Sequence, residues 1–285
     1  MLVEEAMRFG IHVPNFGDFH DLRATAELAR RAEDAGWDGF FLWDHMQYGK
    51  TTYHSTVDPW VGLAAIAMQT ERIRLGPLVT PIPRRRPWKL ARETVSIDHL
   101  SGGRLILGVG LGFPPDAEFE YFGEDSHPQV RAQKLDEGLD VLTGLWSGKP
   151  FAYTGRHYTV KQTRFRPTPL QQPRIPIWVA GYWAKSKAPF RRAARWDGVC
   201  PGQIKTPADV RAMVEYIGQY RTSAAPFDIV HFAEIPKGTA AEVRARLEPW
   251  AEAGVTWWIV GTSGRSGAFQ SLRQCIIEGP PKIDT

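Results

Sequence analysis

Asp44 and His45 put a carboxylate beside an imidazole at the end of an apolar run, Trp37 to Trp43. Histidine titrates near neutrality, so His45 needs little tuning to pass a proton as a general acid or base. Successive side chains along a strand point to opposite faces, so the two need not touch each other. The competing reading is a rim histidine bonded to a backbone carbonyl. His54, His99, His127, His157 and His231 form neither H-x-H nor H-E-x-x-H, and no metal site is expected.

A second chemical signal lies between His99 and Gly123, where the apolar run Leu105 to Val109 ends in Gly108, Gly110 and Gly112. Glycine weakens a strand interior, so three near one strand end suggest close approach to bare main chain, as a flat ring would need; a tight strand exit without a ligand is the alternative. The run also resembles the start of G-x-G-x-x-G, which must open directly into a helix that holds a pyrophosphate. Phe113-Pro114-Pro115 forbids that, because a proline turns the preceding residue away from helical geometry. Two other stretches are candidate phosphate cradles. One is Gly181 to Lys187, with a hydroxyl and two ammonium groups ahead of a helix, and the other is Gly261 to Ser266, after the last apolar run. A capped helix start without a ligand is the lesser alternative for either.

These residues need a frame that gathers strand ends. Apolar strands are expected over Arg8–Val13, Trp37–Trp43, Ile73–Val79, Leu105–Val109, Ile175–Ala180, Gly198–Pro201, Ile229–Ile235 and Val255–Val260. Helices are expected between them at 21–35, 58–69, 86–100, 130–146, 185–195, from 206 onward, 239–253 and 268–277, several opened by Asp or Thr with Pro at the first position. Phe151 to Val160 reads as a β-hairpin inserted at about 149–173. Eight strand-helix units plus an insertion predict an α/β fold, a (β/α)8 TIM-like barrel occupying residues 7–285, with an open doubly wound sheet as the alternative. In such a barrel the chemistry sits at the C-terminal strand ends.

The 285 residues carry a net charge of +4, and the basic residues are scattered rather than striped, so nucleic acid is not an expected partner. The densest run, Arg84 to Arg86, reads as a solvated loop, with contact to an acidic ligand as the lesser alternative. Two cysteines without a C-x-x-C pair fit a reducing cytoplasm. No apolar run is long enough to span a bilayer, and residues 1–6 read as a loose extension that carries acid where a signal peptide carries base.

Taken together, Phe9-Gly10 with Pro14, Ala35-Gly36-Trp37-Asp38, Trp43-Asp44-His45, Asp58-Pro59, Thr70 to Gly76, Leu100 to Arg104, Gly108 to Gly112, Phe119 to Gly123 and Pro176-Ile177-Trp178 resemble, in order and spacing, the luciferase-like family of flavin- and coenzyme F420-dependent oxidoreductases. The resemblance covers nearly the whole chain and implies a TIM-like barrel, commonly dimeric. It implies cofactor contacts at Asp44, Thr80, Gly110, Gly112 and Asp116, and at a bulge around Leu78 and Val79 where relatives carry a non-prolyl cis peptide. It also implies a phosphate near Gly181, Tyr182, Lys185 and Ser186. His45 matches the histidine that F420-dependent relatives place beside the reactive ring carbon, which favours F420 over FMN. Phe113, Tyr121, Trp183 and Gln203 would shape the substrate pocket. Sugar-phosphate dehydrogenases of the family carry a glutamate where this chain has Phe113, so a more apolar substrate is expected, with Glu118 and Asp116 as possible surrogates. The implied activity is hydride transfer to or from a small organic molecule, with a flavin or F420 reductase or dehydrogenase as functional partner. A two-component FMN monooxygenase and a non-catalytic cofactor carrier are the alternatives.

Overall fold

The computed structural model describes residues 7–48, 54–262 and 267–281; the extension at 1–6 lies outside them. Strands β1 (Arg8–Val13), β2 (Gly39–Leu42), β3 (Arg74–Pro77), β4 (Thr80–Pro81), β5 (Leu107–Gly110), β8 (Ile177–Tyr182), β9 (Gly198–Gly202), β10 (Asp228–Phe232) and β11 (Trp257–Gly261) form one all-parallel sheet. An antiparallel pair, β6 (Phe151–Thr154) and β7 (Thr159–Thr163), stands apart from it as the expected hairpin. The sheet runs β3-β2-β1-β11-β10-β9-β8-β5-β4. Its two outer members, β3 and β4, are halves of one interrupted strand, and a Leu75–Leu105 bridge joins β3 to the segment leading into β5. The sheet is therefore a closed barrel with eight staves, as eight strand-helix units require.

Helices α1 (Leu22–Asp34), α2 (Pro59–Gln69), α3 (Pro87–Leu100), α4 (Pro115–Glu118), α5 (Pro128–Trp146), α6 (Ala188–Ala193), α7 (Pro207–Gly218), α8 (Ala240–Glu252) and α9 (Ala268–Glu278) follow the strands. Their starts follow local chemistry. Asp21 and Asp58 each accept two first-turn amides, while Thr206 with Asp209 and Thr239 with Glu242 form reciprocal capping boxes. Among the described residues no helix is long and apolar enough to cross a membrane.

Two cores result. The larger lies between barrel and helices. The smaller fills the barrel with Phe41, Leu78, Ile106, Trp178, Cys200, Val230, Trp257 and Ile259, so the barrel is a packed body and ligands must meet it at a mouth. Val79, Ala180 and Phe232, only partly buried, cap this interior.

The expected third strand, Ile73–Val79, is broken after Pro77. Leu78–Val79 is a non-prolyl cis peptide, and pairing resumes at Thr80 against Val109. The expected helix 185–195 is only six residues long, because the chain first turns through Trp183 to Lys185.

Candidate functional site

In a parallel barrel all C-terminal strand ends share one mouth. Asn15, Asp44, His45, Thr80, Gly110, Tyr182 and Gln203 are therefore brought to the same end of the molecule.

At its centre lies a network of two acids, two arginines and a histidine. Asp44 is 1 % exposed and Glu118 fully buried, yet every carboxylate oxygen is bonded. Asp44 Oδ1 accepts from Arg84 and Arg85, the latter at 2.8 Å; Oδ2 accepts from the Thr80 hydroxyl, from Arg85 at 2.7 Å and from the Trp60 indole at 3.3 Å. Arg84 also donates to Glu118 Oε2 and, at 2.9 Å, to the Asp44 carbonyl. Glu118 Oε1 receives the Met46 amide at 3.2 Å and lies 2.8 Å from His45 Nδ1. Burial alone would push the Asp44 carboxyl up; the Arg85 and Arg84 guanidiniums and the Thr80 hydroxyl outweigh it and hold the group below the usual carboxylate range.

This overturns the reading of Arg84 to Arg86 as a solvated loop. A 3-10 turn over Ile82–Arg84 leads into the run, and Arg84 and Arg85 point inward, where they neutralise two carboxylates that could not otherwise be buried charged. Asp44 and Thr80, expected as cofactor contacts, spend their side chains on each other and on the arginines. They shape the site from beneath rather than line it.

His45 itself is held from two sides. Asn15, at the end of β1, accepts from the His45 amide at 3.1 Å and donates to the His45 carbonyl at 2.9 Å and the Val57 carbonyl at 2.7 Å. The imidazole keeps 17 % exposure. Around it stand Trp43 (ring centroids 5.6 Å apart), Tyr48 (5.0 Å) and Phe16 (6.0 Å), an aromatic wall beside the imidazole.

Sequence reasoning passed over His12, below this layer. Its Nδ1 takes the Trp43 indole N–H at 3.1 Å, and because an indole only donates, the ring proton sits on Nε2, which donates to the Leu78 carbonyl at 2.6 Å. Burial pushes His12 down to about 3, so it stays neutral and acts as a fixed strut under the Leu78–Val79 bulge. The two-residue alternation of β1, which places His12 and Pro14 on one face, was the available signal.

The glycine strand has a packing reason for its composition. A Cβ on Gly108 would lie 2.3 Å from the Pro77 carbonyl oxygen, and one on Gly110 2.7 Å from Val79 Cγ2. Gly112 takes φ +87 and abuts Phe119 and Pro81. The bare backbone of β5 makes room first of all for the neighbouring bulge. Pro114 is extended, so no helix follows Gly112 directly, and Arg131 of α5 holds the loop by donating to the Gly112 carbonyl at 2.8 Å.

Of the other expected residues, Phe113 is 59 % exposed, and Tyr121 and Tyr182 are exposed too, so none of them plugs the mouth. Gln203 is exposed at the end of β9 with φ 61, the one non-glycine residue with positive φ among those described. Asp116 sits half-buried at the start of α4, its carboxylate 3.0 Å from the Ala117 amide. Trp183 departs from expectation. It packs against Phe190 and Tyr216 under Lys187, in the helical layer rather than in the pocket. Several amides at and after the Gly181 to Lys187 turn, one of the two candidate cradles, are also spent. Trp183 donates to Gly202, Lys185 and Ser186 to Tyr182, Ala188 to Ser186 Oγ and Phe190 to Lys187. A phosphate there would meet side chains, those of Tyr182, Lys185 and Ser186, more than amides. Residues 263–266 of the rival cradle lie outside the described residues.

Comparison with known proteins places this geometry. The chain is 32% identical over 262 residues to Rv0953c of Mycobacterium tuberculosis, covering 85% of this chain and 88% of that one. It is 32% identical over 178 residues to the F420-dependent glucose-6-phosphate dehydrogenase of Microbacterium testaceum, covering 61% of this chain and 50% of that one. Its fold superposes on the coenzyme F420-dependent tetrahydromethanopterin reductase of Methanopyrus kandleri with a TM-score of 0.75 at 18% identity, covering 96% and 98% of the two chains. It also superposes on the FMN-bound oxygenating constituent of 3,6-diketocamphane monooxygenase of Pseudomonas putida with a TM-score of 0.73 at 16% identity, covering 98% and 99%. The luciferase-like monooxygenase family model matches residues 7–251. The chain belongs to the luciferase-like monooxygenase family and is, by that membership, an oxidoreductase.

Proposed function

We propose that the protein is a coenzyme F420-dependent oxidoreductase acting on a small, fairly apolar organic substrate. The observation that carries this reading is the mouth-facing His45 imidazole, braced by Asn15 and Glu118 and walled by Trp43 and Tyr48. The mouth suits a flat redox heterocycle. Its floor is the partly buried apolar layer of Val79, Ala180 and Phe232, and its edge is polar at His45. Val79, Gly110 and Gly112 would border the ring, with Tyr182, Lys185, Ser186 and Asp116 toward its phosphate-bearing tail. When bound, the deazaflavin accepts or delivers a hydride. His45 Nε2 gives or takes the accompanying proton, Phe113, Tyr121 and Gln203 border the substrate, and the aromatic wall keeps water from the imidazole.

FMN is the second reading, supported by the fold shared with an FMN-bound monooxygenase. Fluorescence titration of the purified protein with F420 and, separately, FMN tests the choice: F420 is expected to bind more tightly, and preference for FMN would reverse it. His45→Ala is expected to keep F420 binding and lose roughly 10²-fold or more in turnover; unchanged turnover would remove His45 from the mechanism. We place the protein in the reducing cytoplasm as a homodimer, served by a separate enzyme that resets the cofactor's redox state. Its two free cysteines fit that compartment.

A further inference from the structure

We propose that Glu118 is the positioning residue of this site: it fixes the tautomer of His45 so that Nδ1 carries the permanent proton and Nε2 is the nitrogen offered to the mouth. The proposal rests on the reading of His45 as the proton carrier, but its first test does not.

Glu118 is met by donors on both of its oxygens. Glu118 Oε2 accepts from the Arg84 guanidinium, which has no lone pair to give. Oε1 accepts from the Met46 backbone amide at 3.2 Å, also an obligate donor. The carboxylate is the form that answers the Arg84 guanidinium buried against it, and an ionised carboxylate only accepts, so the imidazole nitrogen 2.8 Å from Oε1 is the donor. Nε2 is then a lone pair when the ring is neutral and an N–H when it is charged, the two states a proton carrier alternates between. With the proton on Nε2 instead, Nδ1 would turn a lone pair onto a buried carboxylate.

The charge count agrees. Asp44 and Glu118 contribute two negative charges, Arg84 and Arg85 two positive ones, so the buried network is neutral before His45 is counted. A proton arriving at Nε2 therefore meets no uncompensated cation beneath it. Glu118 is wholly buried and turned to His45, so it touches neither substrate nor cofactor. It is thus not a surrogate for the catalytic glutamate that sugar-phosphate dehydrogenases carry at the Phe113 position. It works through the histidine.

The first test needs no cofactor. In a long-range proton–nitrogen correlation spectrum of the 15N-histidine-labelled protein, the His45 signal, assigned by its loss in His45→Ala, is expected to show a protonated Nδ1 and a bare Nε2 at a pH where the ring is neutral. A protonated Nε2 would overturn the proposal, whatever cofactor the enzyme uses. The second test is kinetic, with F420 and a turned-over substrate. Glu118→Gln is expected to lower kcat about 10–100-fold with KM and F420 affinity held, as loss of an orienting partner does. Glu118→Asp keeps the charge opposite Arg84 but withdraws it from His45, and should lose most of the same factor. Wild-type kcat in either folded variant would overturn the proposal, and it would do so separately from the titration and the His45→Ala kinetics that decide the cofactor and the role of His45.

Discussion

At the scale of single residues, the fold holds the protonation of His12, His231 and Asp44 away from ordinary values, and this sets how the protein meets acid. Burial pushes His12 down to about 3, and His231, stacked 3.8 Å from Trp250, down to about 4. The unfolded chain takes up these protons near 6.5, the folded one only at the lower values. Below pH 6.5 the unfolded state therefore binds more protons, and stability falls as pH falls, by up to about 1.4 kcal/mol per pH unit for each group. Asp44 acts in the same direction at lower pH: its depressed carboxyl stabilises the fold above its ordinary value of 3.8 and loses that contribution as pH drops below it. Urea midpoints at pH 7.5, 6 and 5 are expected to fall steadily. His231→Phe, which keeps an aromatic ring against Trp250, should remove about half of the decline between pH 6.5 and 5; an unchanged slope in that variant would contradict the account. Little of this was legible in the sequence. His12 looks like any strand residue, and Arg84 and Arg85 look like loop charges, because their partners lie 31 to 66 residues away and meet them only when strand ends converge. Asp44-His45 was legible because it closes an apolar run, whereas Glu118, 73 residues from His45, was visible only as an acid in the right loop.

At the scale of elements, the interrupted third stave and the bare fifth strand are one device. β3 stops at Pro77, the chain bulges through Leu78 and Val79, and β5 accommodates it by carrying hydrogen where a side chain would collide. In the sequence the glycines were legible as a place where something approaches the main chain; that the first thing to approach is the neighbouring strand follows only from barrel closure. Helix positions were legible for a different reason: their signals are local, as with Asp21, Asp58 and the two capping boxes. The short α6 was the exception, since the turn before it depends on Tyr182 accepting two amides. Gly108→Ala tests the coupling. Its methyl would lie 2.3 Å from the Pro77 carbonyl oxygen and 2.7 Å from Leu78 Cδ2, and a backbone atom cannot yield cheaply. A loss of ~1–3 kcal/mol in urea unfolding is expected, together with weakened cofactor binding as the bulge shifts. Gly218→Ala, where an added methyl meets nothing within 4 Å, serves as the control and is expected to leave stability unchanged or slightly raised. Equal effects at the two positions would show that the bulge does not depend on the bare strand.

At the scale of the whole molecule, the repeating strand-helix pattern favoured a closed barrel over an open doubly wound sheet, because right-handed parallel crossovers leave few ways to bury the strands on both faces and eight regular units more often close. What the pattern leaves open is the outside, and there α2 is the anomaly. Pro59 to Gln69 reads Pro-Trp-Val-Gly-Leu-Ala-Ala-Ile-Ala-Met-Gln, apolar nearly all round, although a surface helix ordinarily turns a polar face outward. Trp60, Leu63, Ile66 and Ala67 satisfy the core, yet Val61 is 61 % and Met68 69 % exposed, with the partly buried Ala64 and Ala65 between them on the outer side. Spaced three, four and seven residues apart, these side chains form a stripe one helix can lay against another. A second copy of the chain turning the same stripe inward would cover it across a two-fold axis, the commonest closed arrangement for a soluble protein. Size-exclusion chromatography with light scattering is expected to report twice the 32.1 kDa chain mass for the wild type. Met68→Lys and Val61→Lys, each placing a charge in the middle of the contact, should shift it to one chain mass without lowering the unfolding midpoint of the monomer. A wild-type monomer, or a dimer indifferent to both lysines, would place the subunit contact elsewhere or deny it.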